Sequence, residues 1–166
     1  MKRLFLLTLF VILGLAGTAR AELPMAQDLA ALGEKARMEG KPIVVFFYQE
    51  QCHYCETVRH QFLLPISRNE KYQRRIILRQ VNTRAQGILT DFQGNDLSQL
   101  RFAKQEGKAF TPTVAFYGPD GERLSKPLVG LKGGRDYYGY YLDQKIQEAE
   151  AALEAGHLQG SNQGGS

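Results

Sequence analysis

Ile43-Val44-Val45-Phe46-Phe47-Tyr48-Gln49-Glu50-Gln51-Cys52-His53-Tyr54-Cys55 is the stretch on which the reading of this chain turns. Ile43 to Tyr48 is an unbroken apolar, aromatic and β-branched run. It is too short for an independent helix and reads as a strand buried on both faces. Four residues later come the chain's 2 cysteines, Cys52 and Cys55, spaced C-x-x-C. Beyond them, Val58, Phe62 and Leu63 recur at helical spacing. A buried strand therefore ends in a short loop that delivers two thiols to the first turn of a helix.

Thiol–disulfide chemistry needs that layout. The attacking species is a thiolate, so the nucleophilic cysteine must have a lowered pKa. A helix N-terminus supplies unpaired N–H groups and roughly half a positive charge. Cys52 is placed there, and Cys55 lies nearly one turn on along the same face. Cys52 is thus assigned as nucleophile and Cys55 as the resolving thiol. His53, if protonated, would favour the Cys52 thiolate. Tyr54 is a candidate to pack over the pair or donate its hydroxyl.

Other uses of two cysteines fit less well. A bridge closing so short a loop removes little unfolded-state entropy. Structural zinc takes about four ligands, and His60 lies on the wrong side of the helix to join both sulfurs. Attachment of a c-type haem wants C-x-x-C-H, whereas Glu56 follows Cys55.

The N-terminus carries a separate signal. Met1-Lys2-Arg3 is basic, Leu4 to Leu15 is apolar apart from Thr8 and Gly14, and Ala19-Arg20-Ala21 is an A-x-A cleavage pattern. Residues 1–21 read as a secretory signal peptide, so the protein is expected to be exported, with a retained membrane anchor as the alternative. Removing 21 of the 166 residues leaves 145, enough for one domain, and takes the formal charge from +4 to +1. The basic cluster of Arg68, Lys71, Arg74, Arg75, Arg79 and Arg84 lacks interleaved aromatics and reads as a solvated face. Nucleic acid is not an expected partner.

Met25 to Glu39 repeats Leu29, Leu32 and Ala36 and closes at Gly40 before Pro42, which predicts an amphipathic helix. Pro65 is expected to end or kink the C-x-x-C helix. A short helix near Asn69 to Arg75 and a second strand at Ile76 to Val81 follow. Asn82 to Asn95 reads as a polar loop. Asp96 is the expected cap of a helix to Glu106, with Leu97, Leu100 and Ala103 inward and Phe102 at its edge. Thr113 to Tyr117 is a third strand. Gly118-Pro119-Asp120-Gly121 turns the chain into a fourth strand, Glu122 to Val129, which Pro127 restricts to an edge. A last helix is expected from Asp136 to Ala155, followed by a disordered tail at 156–166. The fold class is α/β: a four-stranded mixed sheet flanked by helices on both faces, with strands one and two parallel and three and four antiparallel.

Phe110-Thr111-Pro112-Thr113 leads into the third strand, and X–Pro bonds are the ones that tolerate cis. Together with I-V-V-F-F-Y before C-H-Y-C, and with the G-P-D-G hairpin followed by L-V-G and a terminal helix, this resembles the thioredoxin superfamily over residues 23–154. The leading helix ending E-G-K-P and the export signal are similar to the periplasmic thioredoxin-related branch that includes SoxW-type thioredoxins. The resemblance implies a thioredoxin-like domain over 22–155 and a cis Pro112 packed beside the Cys52–Cys55 pair. It implies, too, that the Thr111 backbone pairs with an extended substrate. Substrate would lie across Cys52, Tyr54 and the Thr111–Pro112 loop. The redox-active disulfide would be the only prosthetic element, with no metal.

Two positions depart from the family's pattern. Gln51 stands where tryptophan is usual before the first cysteine, and Phe46 stands where a buried carboxylate helps deprotonate the resolving thiol. Glu50 is a candidate to take over that proton transfer. The expected function is an exported, monomeric oxidoreductase reducing protein disulfides, recycled by a membrane thiol-transfer protein. Within the class, the alternatives are a thiol oxidant or an isomerase. Tyr54 and Thr111 look like the isomerases, but no dimerisation domain is present. Outside it stand a copper(I) or zinc module using both cysteines as soft ligands and a redox-inert scaffold.

Overall fold

The computed structural model describes residues 22–108 and 110–163, the last seven as backbone only. The expected signal peptide at 1–21 lies outside the described residues, as do the final three positions of the tail. Among the described residues no helix is long and apolar enough to cross a membrane.

Helix α1 (Leu29–Glu39) leads into strand β1 (Ile43–Tyr48), followed by α2 (His53–Val58), a π-helical turn (Arg59–Leu63), α3 (Leu64–Arg68) and α4 (Glu70–Gln73). Then come β2 (Ile77–Asn82), the short strands β3 (Ile88–Thr90) and β4 (Asp96–Ser98), α5 (Gln99–Gln105), β5 (Thr113–Tyr117), β6 (Leu128–Val129) and α6 (Gly134–Gln163). The main sheet has the order β2-β1-β5-β6. β1 runs parallel to β2 and antiparallel to β5, and β5 is antiparallel to β6. This is the four-stranded mixed sheet expected from the sequence.

Alternation along β1 divides the interior in two. Val44 and Phe46 face one core with Cys55, Val58, Leu63, Val114, Phe116 and the α6 residues Tyr138, Leu142, Ile146 and Ala149. Ile43, Val45 and Phe47 face the other, with Leu29, Leu32 and Ala36 of α1, Phe102 and Ala103 of α5, and Ala115 and Tyr117 of β5. The tyrosine and leucine stripe of the last helix is core, with Tyr141 half-buried at its margin.

Several local readings are corrected. Asn82 to Asn95 is not all loop, because β3 pairs with β4, Leu89 opposite Leu97. Both leucines are buried, and Asp91 Oδ1 accepts from the Gln93 and Asn95 amides at 2.9 and 2.8 Å to shape the turn. Asp96 therefore lies in a strand, and Ser98 caps α5, its Oγ accepting from Arg101 N. Phe102 is core rather than edge, 2 % exposed. Pro65 does not end the C-x-x-C helix. The π-helical turn widens the hydrogen-bond step just ahead of it, Leu64 N–H reaching Arg59 O, and Pro65 falls in the first turn of α3, where its missing N–H is tolerated. The fourth strand is reduced to Leu128–Val129, with an isolated bridge at Arg123. α6 also passes the expected end at Ala155 and continues to Gln163. Two glycines, Gly156 and Gly160, fall in this extension and each costs a helix about 1 kcal/mol, yet the helix runs on from the turn that Leu153 anchors.

The basic cluster is partly paired internally. Arg75 Nε and one terminal nitrogen grip Glu150 at 2.8 and 2.7 Å, and the other reaches Asp143 at 2.9 Å, tying the start of β2 to α6.

Gly33, the weak helix former in α1, marks a close approach. A Cβ there would stand 2.2 Å from the Pro119 carbonyl oxygen in the hairpin turn. Gly33→Ala is expected to destabilise the fold by about 1–3 kcal/mol through overpacking. Chemical denaturation checks this, and an unchanged midpoint would refute the contact.

Candidate functional site

The end of β1 sets the site. The chain leaves the strand at Tyr48 and turns at Gln51, whose φ of 59° places it in the left-handed region. Cys52 follows as the N-cap of α2, its Sγ accepting from Cys55 N at 3.2 Å. The two cysteines are joined in a disulfide. They are not equivalent: Cys55 is fully buried in the core against α6, whereas Cys52 is only partly buried.

The Thr111–Pro112 peptide bond is cis. This loop faces the disulfide, with Cys52 Sγ 4.0 Å from the Thr111 carbonyl oxygen and 3.9 Å from its Oγ1. Two contacts hold the loop. Gly130 N donates to Pro112 O at 2.8 Å, and Thr113 Oγ1 donates to Phe110 O at 2.7 Å. The structure thus brings Cys52, Cys55, Thr111 and Pro112 into one locus across a separation of 59 residues between Cys52 and Thr111.

Three other candidates are exposed. His53 is exposed, its ring set edge-on to Tyr54 at 5.8 Å, and among the described residues its side chain makes no hydrogen bond or ion pair. Tyr54 is 60 % exposed. Glu50 is exposed and accepts from Asn82 Nδ2 at 3.3 Å, held at the end of β2. It lines a polar groove of about 560 Å³ with Gln49, Gln51, Asn82, Arg84 and Ala85, adjoining the turn into Cys52.

Arg59 belongs to the site but escaped the sequence reading. Its guanidinium lies 4.2 Å from the Tyr48 ring centroid and 5.6 Å from that of Phe46. It also pairs with Glu56, whose other oxygen is 3.0 Å from His60 Nε2. Burial pushes the Tyr48 phenol above its ordinary pKa, with the Arg59 cation acting in the opposite sense. The one signal in the sequence was a cation four residues after Cys55, on the same helix face as that cysteine. Among the described residues no three His, Cys, Asp or Glu side chains are grouped so as to hold a metal ion.

With this geometry in hand, comparison with known proteins places the chain. The profile of the thioredoxin-like domain matches residues 31–146. The chain belongs to the thioredoxin-like domain family. Among solved structures, DsbH oxidoreductase matches with a TM-score of 0.53 at 17 % identity, covering 79 % of this chain and 89 % of that one. Thioredoxin from Fasciola hepatica gives 0.49 at 16 % identity, covering 76 % and 99 %, and poplar thioredoxin h gives 0.48 at 20 %, covering 70 % and 83 %. No curated protein sequence matches the chain.

The unequal burial of the two sulfurs makes a direct prediction. After reduction, limiting iodoacetamide is expected to label Cys52 at least about tenfold faster than Cys55, since the thiolate must be accessible to react. Peptide mapping by mass spectrometry reads the ratio, and equal labelling would contradict the assignment of Cys55 as the buried partner.

Proposed function

We propose that this thioredoxin-like protein is an exported thiol–disulfide oxidoreductase that reduces protein disulfides through Cys52 and Cys55. The observation that carries the reading is the disulfide at the start of α2, with one sulfur accessible beside the Thr111–Pro112 loop and the other buried.

In the reduced form, the Cys55 amide that points at Cys52 Sγ favours its thiolate, as does the positive end of the helix. That thiolate attacks one sulfur of a substrate disulfide. A mixed disulfide forms, and the first substrate thiolate leaves. Cys55, as thiolate, then attacks Cys52 Sγ, the Cys52–Cys55 bond closes, and the second substrate thiolate departs. Two electrons pass to the substrate, and the two thiol protons reach the departing sulfurs through water. Thr111 offers its main chain for strand-like pairing with an extended substrate segment.

Export rests on the basic, apolar and A-x-A pattern of residues 1–21. A reductant outside the cytoplasm must be recharged, and a membrane thiol-transfer protein is the donor this reading assigns. The E-G-K-P segment before β1 favours the SoxW-type branch.

Reduction of insulin disulfides in the presence of dithiothreitol tests the activity. Cys52→Ser is expected to fall to the uncatalysed background, and Cys55→Ser to accumulate a mixed disulfide visible by mass. Equilibration with glutathione buffers tests the direction. A potential near roughly −270 mV marks a reductant, and one near roughly −120 mV an oxidant, which would overturn the assigned direction. Failure of the two cysteines to exchange with any thiol would sink the reading altogether.

A further inference from the structure

The exchange scheme leaves Arg59 unused. Its main-chain N–H donates to the Cys55 carbonyl, so the two residues keep helical i, i+4 register. That register puts their Cβ atoms about 5–6 Å apart on one face. Cys55 and Phe46 lie in one apolar cluster, with the half-buried Tyr48 packed against it, and the guanidinium rests on both rings. Only 14 % of the Arg59 side chain is exposed, and its Nε is buried without a hydrogen-bond partner. A cation so placed is weakly screened by water. Its partner Glu56 is 46 % exposed and shared with His60, so solvent damps the carboxylate more than the guanidinium. Of the two charges, the cation is the one laid over the rings of the cluster that holds Cys55. Around this pocket the other titratable groups are Tyr48, with Glu22 and Glu50 acting on its phenol, His60 beyond Glu56, and Tyr138 of α6.

We propose that Arg59 is a positioning residue for the resolving step, holding positive charge beside Cys55 so that this buried thiol can ionise and attack. The inference rests on the exchange function proposed above. Burial in apolar surroundings opposes thiolate formation, and no carboxylate is available from β1, where Phe46 occupies the inward position. The step served is the second one. Cys55 yields its proton to water, its sulfur bonds to Cys52 Sγ, and the substrate thiolate leaves with the electron pair of the broken mixed disulfide.

The test is a pH titration of the Cys55 Cβ chemical shift in the reduced full-length protein and three variants. Arg59→Met is expected to raise the Cys55 midpoint by about one unit, which lowers its thiolate fraction about tenfold at any pH below both midpoints. Arg59→Lys, which keeps the charge, is expected to stay close to the parent. Glu56→Gln removes the damping anion and is expected to move the midpoint down. A purely packing role would not produce opposite shifts from the two charge removals. Unchanged midpoints in folded Arg59→Met and Glu56→Gln, or shifts in the same direction, overturn the proposal. Should Arg59→Met fail to fold, an unchanged or raised midpoint in Glu56→Gln does so alone. Glutathione equilibration of the parent separates the two readings: no exchange there defeats the proposed function, whereas normal exchange with invariant titrations defeats only the role of Arg59.

Discussion

Burial of β1 on both faces is the constraint from which the rest of the structure follows. Ile43 to Phe47 are fully buried, and the strand is hydrogen-bonded on both sides, to β2 and to β5. At about 1.5–3 kcal/mol for each large side chain removed from water, these five residues contribute substantially to stability. A strand so fixed cannot slip by one residue without exchanging its two faces. The position at which the chain leaves it is therefore equally fixed. Gln51 and Cys52 occupy that point, so the register of the core determines where the sulfurs stand.

The difference between the two sulfurs follows from the same geometry. Cys52 caps the helix and stays at the surface, whereas Cys55, three residues on, turns inward onto Phe46 and α6. An accessible sulfur can meet a partner, and a buried one can attack only its neighbour. That ordering suits a two-step exchange, provided the inner thiol can shed its proton in an apolar setting. Arg59 supplies the nearby charge, stacked on rings that belong to the strand and its exit.

Long-range architecture was legible because it was written in patterns of burial. The apolar run at Ile43 to Tyr48, the C-x-x-C spacing and the proline at the head of β5 each declare themselves within a few residues. Details governed by competition between local options were not. Asp96 is a good cap by residue type, yet the pairing of Leu89 with Leu97 drew it into a strand and passed the cap to Ser98. Pro65 is a helix breaker by rule, but one π-helical turn accommodates it. His53 and Tyr54 sit between the cysteines in sequence yet point to solvent. Arg59 reads as an ordinary surface cation until the helix is laid against β1, because its partners Phe46 and Tyr48 come from another element.

The N-terminal segment that crosses the β2 edge has a consequence for solubility. Gln80 N donates to Pro24 O, Ala26 N donates to Gln80 O, and the Gln80 side chain reaches Leu23 O, all within 2.7–2.9 Å. This strap occupies main-chain groups of the outermost strand that would otherwise invite pairing with another chain. The opposite margin is guarded differently, since β6 offers only two residues and follows a proline. With one margin strapped at Gln80 and the other cut short, neither edge of this sheet, among the described residues, offers a long ladder on which a second copy could build a fibril-like stack.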